Sequence, residues 1–114
     1  MTAGQVFNRA LTLLGYVTDS HNDGLKSRAI AAINAAYVDV CRAQMCEFEP
    51  IKTLADTLSV DQKIAADVLV YGVAMFIAQS EGDAENQAVF CDLYNRKRAS
   101  LSTRDTVKDV IFGG

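Results

Sequence analysis

An all-α fold, a compact bundle of about four helices, follows from three features of this sequence. Ile64 to Ala78 is apolar on nearly every face, broken only by Asp67 and Gly72, so it needs neighbours all round. Apolar residues in the other long segments recur at three- and four-residue spacing. The 114-residue chain is half hydrophobic and holds a single proline, Pro50, which suits one domain with one core. Fifteen helical residues span about 22 Å, short of the roughly 30 Å apolar core of a bilayer, and Asp67 makes insertion costlier. The expectation is a central buried helix at about 60–80 and no membrane partner.

The first helix opens on Thr2 with Gln5 three residues later, a capping-box pattern. Val6, Phe7, Ala10, Leu11, Leu13 and Leu14 follow at helical spacing, and Gly15 is placed to end the helix in the left-handed conformation. After a polar loop to Asn22, Asp23 suits an N-cap. The second helix is predicted from about Gly24 to Cys46, with Leu25, Ala29, Ile33, Ala36, Tyr37, Val40 and Cys41 inward. Its alanines raise helix propensity and permit close approach of a neighbour.

Residues 47–58 form a short irregular or β-like connector, because Pro50 breaks any helix and Ile51, Thr53 and Leu54 suit strand or coil. Ser59 with Gln62 makes a second capping box, and Leu58 stands where a hydrophobic staple would. The central helix then runs to about Ser80, with Asp67 either at an edge facing water or paired with a cation. Gly82 and Asp83 supply a C-cap and the next N-cap, and a fourth helix continues through Ala88, Phe90, Cys91, Leu93, Tyr94 and Leu101. This defines a helical domain at 1–102 and an extended C-terminal tail at 103–114. Val107, Val110, Ile111 and Phe112 in that tail have no place in a four-helix core.

The net charge of −3 argues against a general nucleic-acid binder, whose footprint is basic. The charge is unevenly spread. Residues 1–46 carry four cations and three acids, 47–94 two cations and nine acids, and 95–114 five cations and two acids. An acidic middle and a basic end can pair between identical subunits arranged head to tail, and the same asymmetry also occurs on ordinary solvated surfaces. Arg96, Lys97 and Arg98 diverge by about 100° each on a helix, so they spread instead of forming a patch.

Asp19 to Gly24 begins like a calcium loop, but position three is His21 and position twelve is Ile30, so the bidentate carboxylate is missing. Cys41, Cys46 and Cys91 lack zinc-finger or disulfide-framework spacing and suit a reducing cytosol. Met1 leads into polar Thr2–Gln5 without a secretory-signal pattern. There is no Glu-x-x-His pair and no phosphate-cradling glycine loop. The expectation is a protein without catalytic residues, cofactors or bound metal.

The order Leu13-Leu14-Gly15-Tyr16, a polar loop, Ile33-Asn34-Ala35-Ala36-Tyr37, a Pro-containing connector, Tyr71-Gly72-Val73-Ala74, Gly82-Asp83, Phe90 and Tyr94-Asn95 resembles the small helical head–tail connector proteins of tailed phages and prophages. The resemblance covers roughly residues 5–101 and rests on packing and capping residues. It implies a non-enzymatic virion component, made in the bacterial cytoplasm, that forms a ring with copies of itself beneath the portal protein. The ring would also meet tail-side connector proteins and pass DNA without sequence-specific binding. Exposed apolar tail residues are unfavourable on an isolated monomer, and a terminal strand can add to a partner's edge. The expected interaction residues are therefore Pro50 and Ile51 in the connector with Val107, Val110, Ile111 and Phe112 in the tail. The alternative is a small cytosolic helical adaptor or regulatory module that binds a single protein partner.

Overall fold

The computed structural model describes residues 1–16 and 23–113, with the side chains of Asp23 and of 102–113 outside the described set. The architecture is all-α, four helices running up, down, up and down. They are α1 (Ala3–Leu14), α2 (Asp23–Gln44), α3 (Gln62–Ser80) and α4 (Ala84–Gly113). The direction of each follows from its end contacts. The start of α1 meets the connector, where the Ala3 N–H donates to the Asp56 carbonyl at 2.9 Å and the Gly4 N–H to that of Leu54 at 2.7 Å. The other end of α1 meets the α3–α4 corner, where the Tyr16 hydroxyl donates to the Asp83 carboxylate at 2.7 Å.

Helix α3 is central and packs against α1, α2 and α4. Val73, Ala74, Ile77 and Ala78 are wholly buried, and the described core holds no buried polar or charged residue. The sheath is incomplete, because Tyr71, Met75 and Phe76 stay half-buried. By length and composition α3 is apolar enough to cross a membrane, with half of its most apolar window buried inside the bundle. Asp67 is exposed and faces water, the first of the two placements open to it. The helix also contains a π-helical turn at Ala65–Leu69, in which the Val70 N–H reaches back to the Ala65 carbonyl. The extra residue turns the following face by about 100°, and this brings both Leu69 and Val70 inside.

Several local expectations hold. Thr2 and Gln5 form the reciprocal capping box, and Gly15 (φ 76°) and Gly82 (φ 70°) end their helices in the left-handed region. Asp83 caps α4 by accepting the Asn86 N–H at 3.2 Å. Others shift. Helix α2 ends at Gln44 and not at Cys46, because Met45 adopts φ 55° and the Cys46 N–H closes onto the Cys41 carbonyl at 3.0 Å. The N-cap of α3 is Asp61, which accepts the Lys63 N–H at 2.8 Å, whereas Ser59 is drawn to Tyr37. Leu13 is 41 % exposed and contributes little to the core. The calcium-like stretch 19–24 lies largely outside the described residues.

Helix α4 does not stop near Ser102. Its backbone continues to Gly113, so the tail is helical and not a strand. Its branched residues lower helix propensity, but extending a nucleated helix costs little, and no glycine or proline intervenes before Gly113. The cations at 96–98 disperse as expected: Arg96 pairs with Asp92, Lys97 sits 4.5 Å over the Tyr71 ring, and Arg98 bonds to Asp39.

Tyr94 keys α4 to two helices. Its ring lies against the backbone of Gly72, where a Cβ would come within 2.6 Å of the ring. Its hydroxyl donates to the Asp39 carboxylate of α2 at 2.7 Å, and Arg98 donates to the same carboxylate at 3.1 Å. Gly72→Ala is therefore expected to destabilise the fold by about 1–3 kcal/mol through overpacking. In a denaturant titration the cost should shrink when Tyr94 is also replaced by Leu, since the two substitutions share one contact.

The corner predicts the pH profile. Hydrogen bonds from Tyr16 and then Asn86 hold the Asp83 carboxyl below its usual range. Its contribution is present above the unfolded value of about 3.9 and is lost as pH falls through the lower folded value. Burial and then the bond to Asp83 push the Tyr16 phenol up to about 12, and burial and then Asp39 push Tyr94 well up. Those contributions are present below about pH 10 and are lost as pH rises through the folded values. Tyr16→Phe should flatten both limbs of a plot of denaturant midpoint against pH, because it removes the phenol and releases Asp83.

Candidate interaction surface

The connector owes its shape to side chain–backbone hydrogen bonds and not to a sheet. Its sole bridge among the described residues is an isolated antiparallel pair, Thr2 with Thr57. Asn34 on α2 imitates a strand neighbour: its Nδ2 donates to the Ile51 carbonyl at 3.0 Å and its Oδ1 accepts the Ile51 N–H at 2.8 Å. One turn on, the Tyr37 hydroxyl accepts the Ser59 N–H at 3.0 Å and lies 2.6 Å from the Ser59 hydroxyl. Asp56 closes the loop on itself by accepting the Lys52 and Thr53 N–H groups at 2.7 and 3.1 Å. These two bonds, that of Lys52 first, hold its carboxyl below the usual range.

Beside this frame lies an open groove of about 620 Å³. Buried Tyr37 and Ile51 form its floor, half-buried Phe48 meets Tyr37 edge-on at 5.2 Å, and exposed Pro50 stands at the rim with Glu47 and Glu49. The acids at the groove are Glu47, Glu49 and Asp56, against the single cation Lys52. A smaller notch of about 380 Å³ lies between the start of α3 and α4 and is lined by Lys63, Asp67, Lys97 and Leu101 among others.

The structure thus brings the two connector candidates together in one groove with distinct parts. Pro50 is exposed, but Ile51 is buried, because Asn34 draws its backbone onto α2. Val107, Val110, Ile111 and Phe112 belong to the last turns of the α4 backbone, and their side chains lie outside the described residues. Sequence reasoning missed Met45, which is 84 % exposed beside the connector in a conformation that normally favours glycine. It also missed Tyr37 as part of the surface, since its aromatic spacing reads only as core. The three thiols are free. Cys41 is buried, and that burial, with Cys46 beside it, pushes its thiol up to about 12.

No protein-family model matches the chain, and no curated protein or solved structure matches it either.

Removing the Asn34 amide leaves the Ile51 backbone groups unpaired beneath the groove. Asn34→Leu is expected to cost about 1–3 kcal/mol. Amide hydrogen exchange at Ile51 should accelerate by more than the global loss of stability explains, marking local release of the connector. Equal acceleration throughout the chain would remove the assignment of Asn34 as the connector's anchor.

Proposed function

We propose that this chain is a non-enzymatic subunit of a phage or prophage head–tail connector. In this reading it assembles into a ring beneath the portal protein, offers its other face to tail-side proteins, and lets DNA pass without base readout. It belongs to the virion and is assembled in the bacterial cytoplasm. The support is the helical order described above together with the resemblance in its packing and capping residues. One observation carries most weight: α4 is far longer than the central helix it lines. At Leu101 it has already drawn level with Lys63 and Val68 near the start of α3, and its backbone goes on to Gly113. Twelve further residues reach about 18 Å past that level. Such an overhang contributes to assembly more readily than to the stability of one bundle.

Native mass spectrometry and electron microscopy of the purified full chain, near its solubility limit, test the reading. A single closed oligomer with ring-shaped particles is expected. A chain that stays monomeric there, or that forms a strict one-to-one complex with one cytosolic protein, overturns the ring; the second result favours the adaptor.

A further inference from the structure

We infer that Cys41 and Cys46 form a redox-active dithiol, which a low-molecular-weight disulfide oxidises to a bridge that ties the start of the connector to the end of α2. The bridge lies within one copy of the chain and holds whether or not copies form a ring.

The Met45 turn brings the pair together. On a continuing helix, positions five apart point about 140° away from each other. Met45 at φ 55° folds the chain back instead, and the Cys46 N–H donates to the Cys41 carbonyl at 3.0 Å. A main-chain bond of that length leaves the two Cα atoms at most about 7 Å apart. That is the outer limit for a disulfide formed without backbone movement. In such a closure the residue past the turn packs on the residue whose carbonyl it reaches. Here both are cysteines, and the Cys46 thiol lies against that of Cys41 and hydrogen-bonds with it. The third thiol, Cys91, is on α4, where it accepts from the Asn95 side-chain amide at 3.5 Å.

Exposure sets the order of the chemistry. Cys46 is half-buried, whereas Cys41 is 1 % exposed, so Cys46 meets the oxidant first. The Cys46 sulfur loses its proton and attacks one sulfur of the small disulfide. That S–S bond breaks, and one small thiol leaves carrying the proton. Cys41 then attacks the Cys46 sulfur of the mixed disulfide and expels the second small thiol, which takes up the Cys41 proton. The protein has lost two electrons and two hydrogens, and one small disulfide has become two thiols. Burial and then the contact with Cys46 push the Cys41 thiol up to about 12, which keeps it from reacting with solutes on its own account.

The bridge has a structural consequence. Glu47, the next residue, already belongs to the wall of the groove. In the reduced chain the turn is held by main-chain bonds from Cys46 and from Met45, whose N–H reaches the Arg42 carbonyl at 3.3 Å. A disulfide closes the same six-residue loop covalently. It stays open in a reducing cytosol and closes in an oxidising medium.

The test treats the reduced full chain with oxidised glutathione, which spares Met45. Trypsin cuts after Arg42, between the two cysteines, so without reductant the bridge appears as peptide 29–42 joined to 43–52. The intact chain should lose two hydrogens and recover them with dithiothreitol. Cys91→Ser should leave the bridge intact, and Cys46→Ser should abolish it; circular dichroism checks that both fold. The oxidised chain should melt roughly 5–10 °C higher, and its Cys46 amide should exchange at least about tenfold more slowly. Glutathione that remains on Cys46, or links between copies, overturns the pairing. A bridge that forms without slowing exchange at Cys46 overturns the tie between connector and α2.

Discussion

The flat contact between the Tyr94 ring and the bare backbone of Gly72 sets the spacing on which this bundle depends. At any other residue a Cβ would stand inside the ring's van der Waals radius. Because α4 approaches so closely there, the Tyr94 hydroxyl reaches Asp39 on α2, and Arg98 shares that carboxylate. One aromatic residue thus gauges the α3–α4 distance and fixes the position of α2 relative to both. Burial of the ring is affordable only because its hydroxyl finds a charged acceptor, since a buried phenol without a partner is costly.

What was legible in the residues had a local cause. Thr2 with Gln5, Gly15, and Gly82 with Asp83 mark their helix ends because caps are interactions between near neighbours in sequence. What was illegible had a distant cause or none visible in composition. Ser59 looks like a cap, but Tyr37, 22 positions away, claims its hydroxyl, and Asp61 takes over. Ile51 looks like a surface residue beside a proline until Asn34 pulls its backbone inward. The π-turn at Ala65–Leu69 left no trace, because a segment apolar on every face has no stripe whose rotation could be seen. Val107, Val110 and Ile111 read as strand formers, yet a helix already nucleated over five turns extends through them. In the candidate surface, Pro50 was readable as a break and the tail as surplus hydrophobicity, whereas the groove that Pro50 helps to line arises only from tertiary contact.

The two ends of the bundle are built differently. The corner end is closed: left-handed glycines cap α1 and α3, Arg28 pairs with Glu81, and Tyr16 and Asn86 both donate to the Asp83 carboxylate. The connector end is held just as firmly in its backbone but not in its surface. Asn34, Tyr37 and Asp56 spend their polar groups on main-chain atoms, which fixes the loop and leaves the side chains of Glu47, Glu49 and Pro50 turned outward. A loop ordered in advance gives up little conformational freedom when a partner arrives, so more of each contact appears as affinity. This is the physical difference between a loop that merely joins two helices and one that offers a surface.

Met45 sharpens the point. Three helix ends among the described residues use the same closure, in which a residue just past the helix turns left-handed and the next N–H reaches back across the turn. Gly15 and Gly82 do so without strain, whereas Met45 does so with a side chain that costs about 1 kcal/mol in that conformation. The same side chain is almost wholly exposed, so it returns nothing to the core of its own bundle. A partner seated over the connector would change that balance. Each Å² of thioether it covers contributes about 25 cal/mol, and methionine's flexible chain adapts to whatever surface it meets. The strain at Met45, the acidic rim of Glu47 and Glu49, and the half-buried Phe48 ring that meets Tyr37 therefore lie along one stretch of chain, from the end of α2 to Pro50.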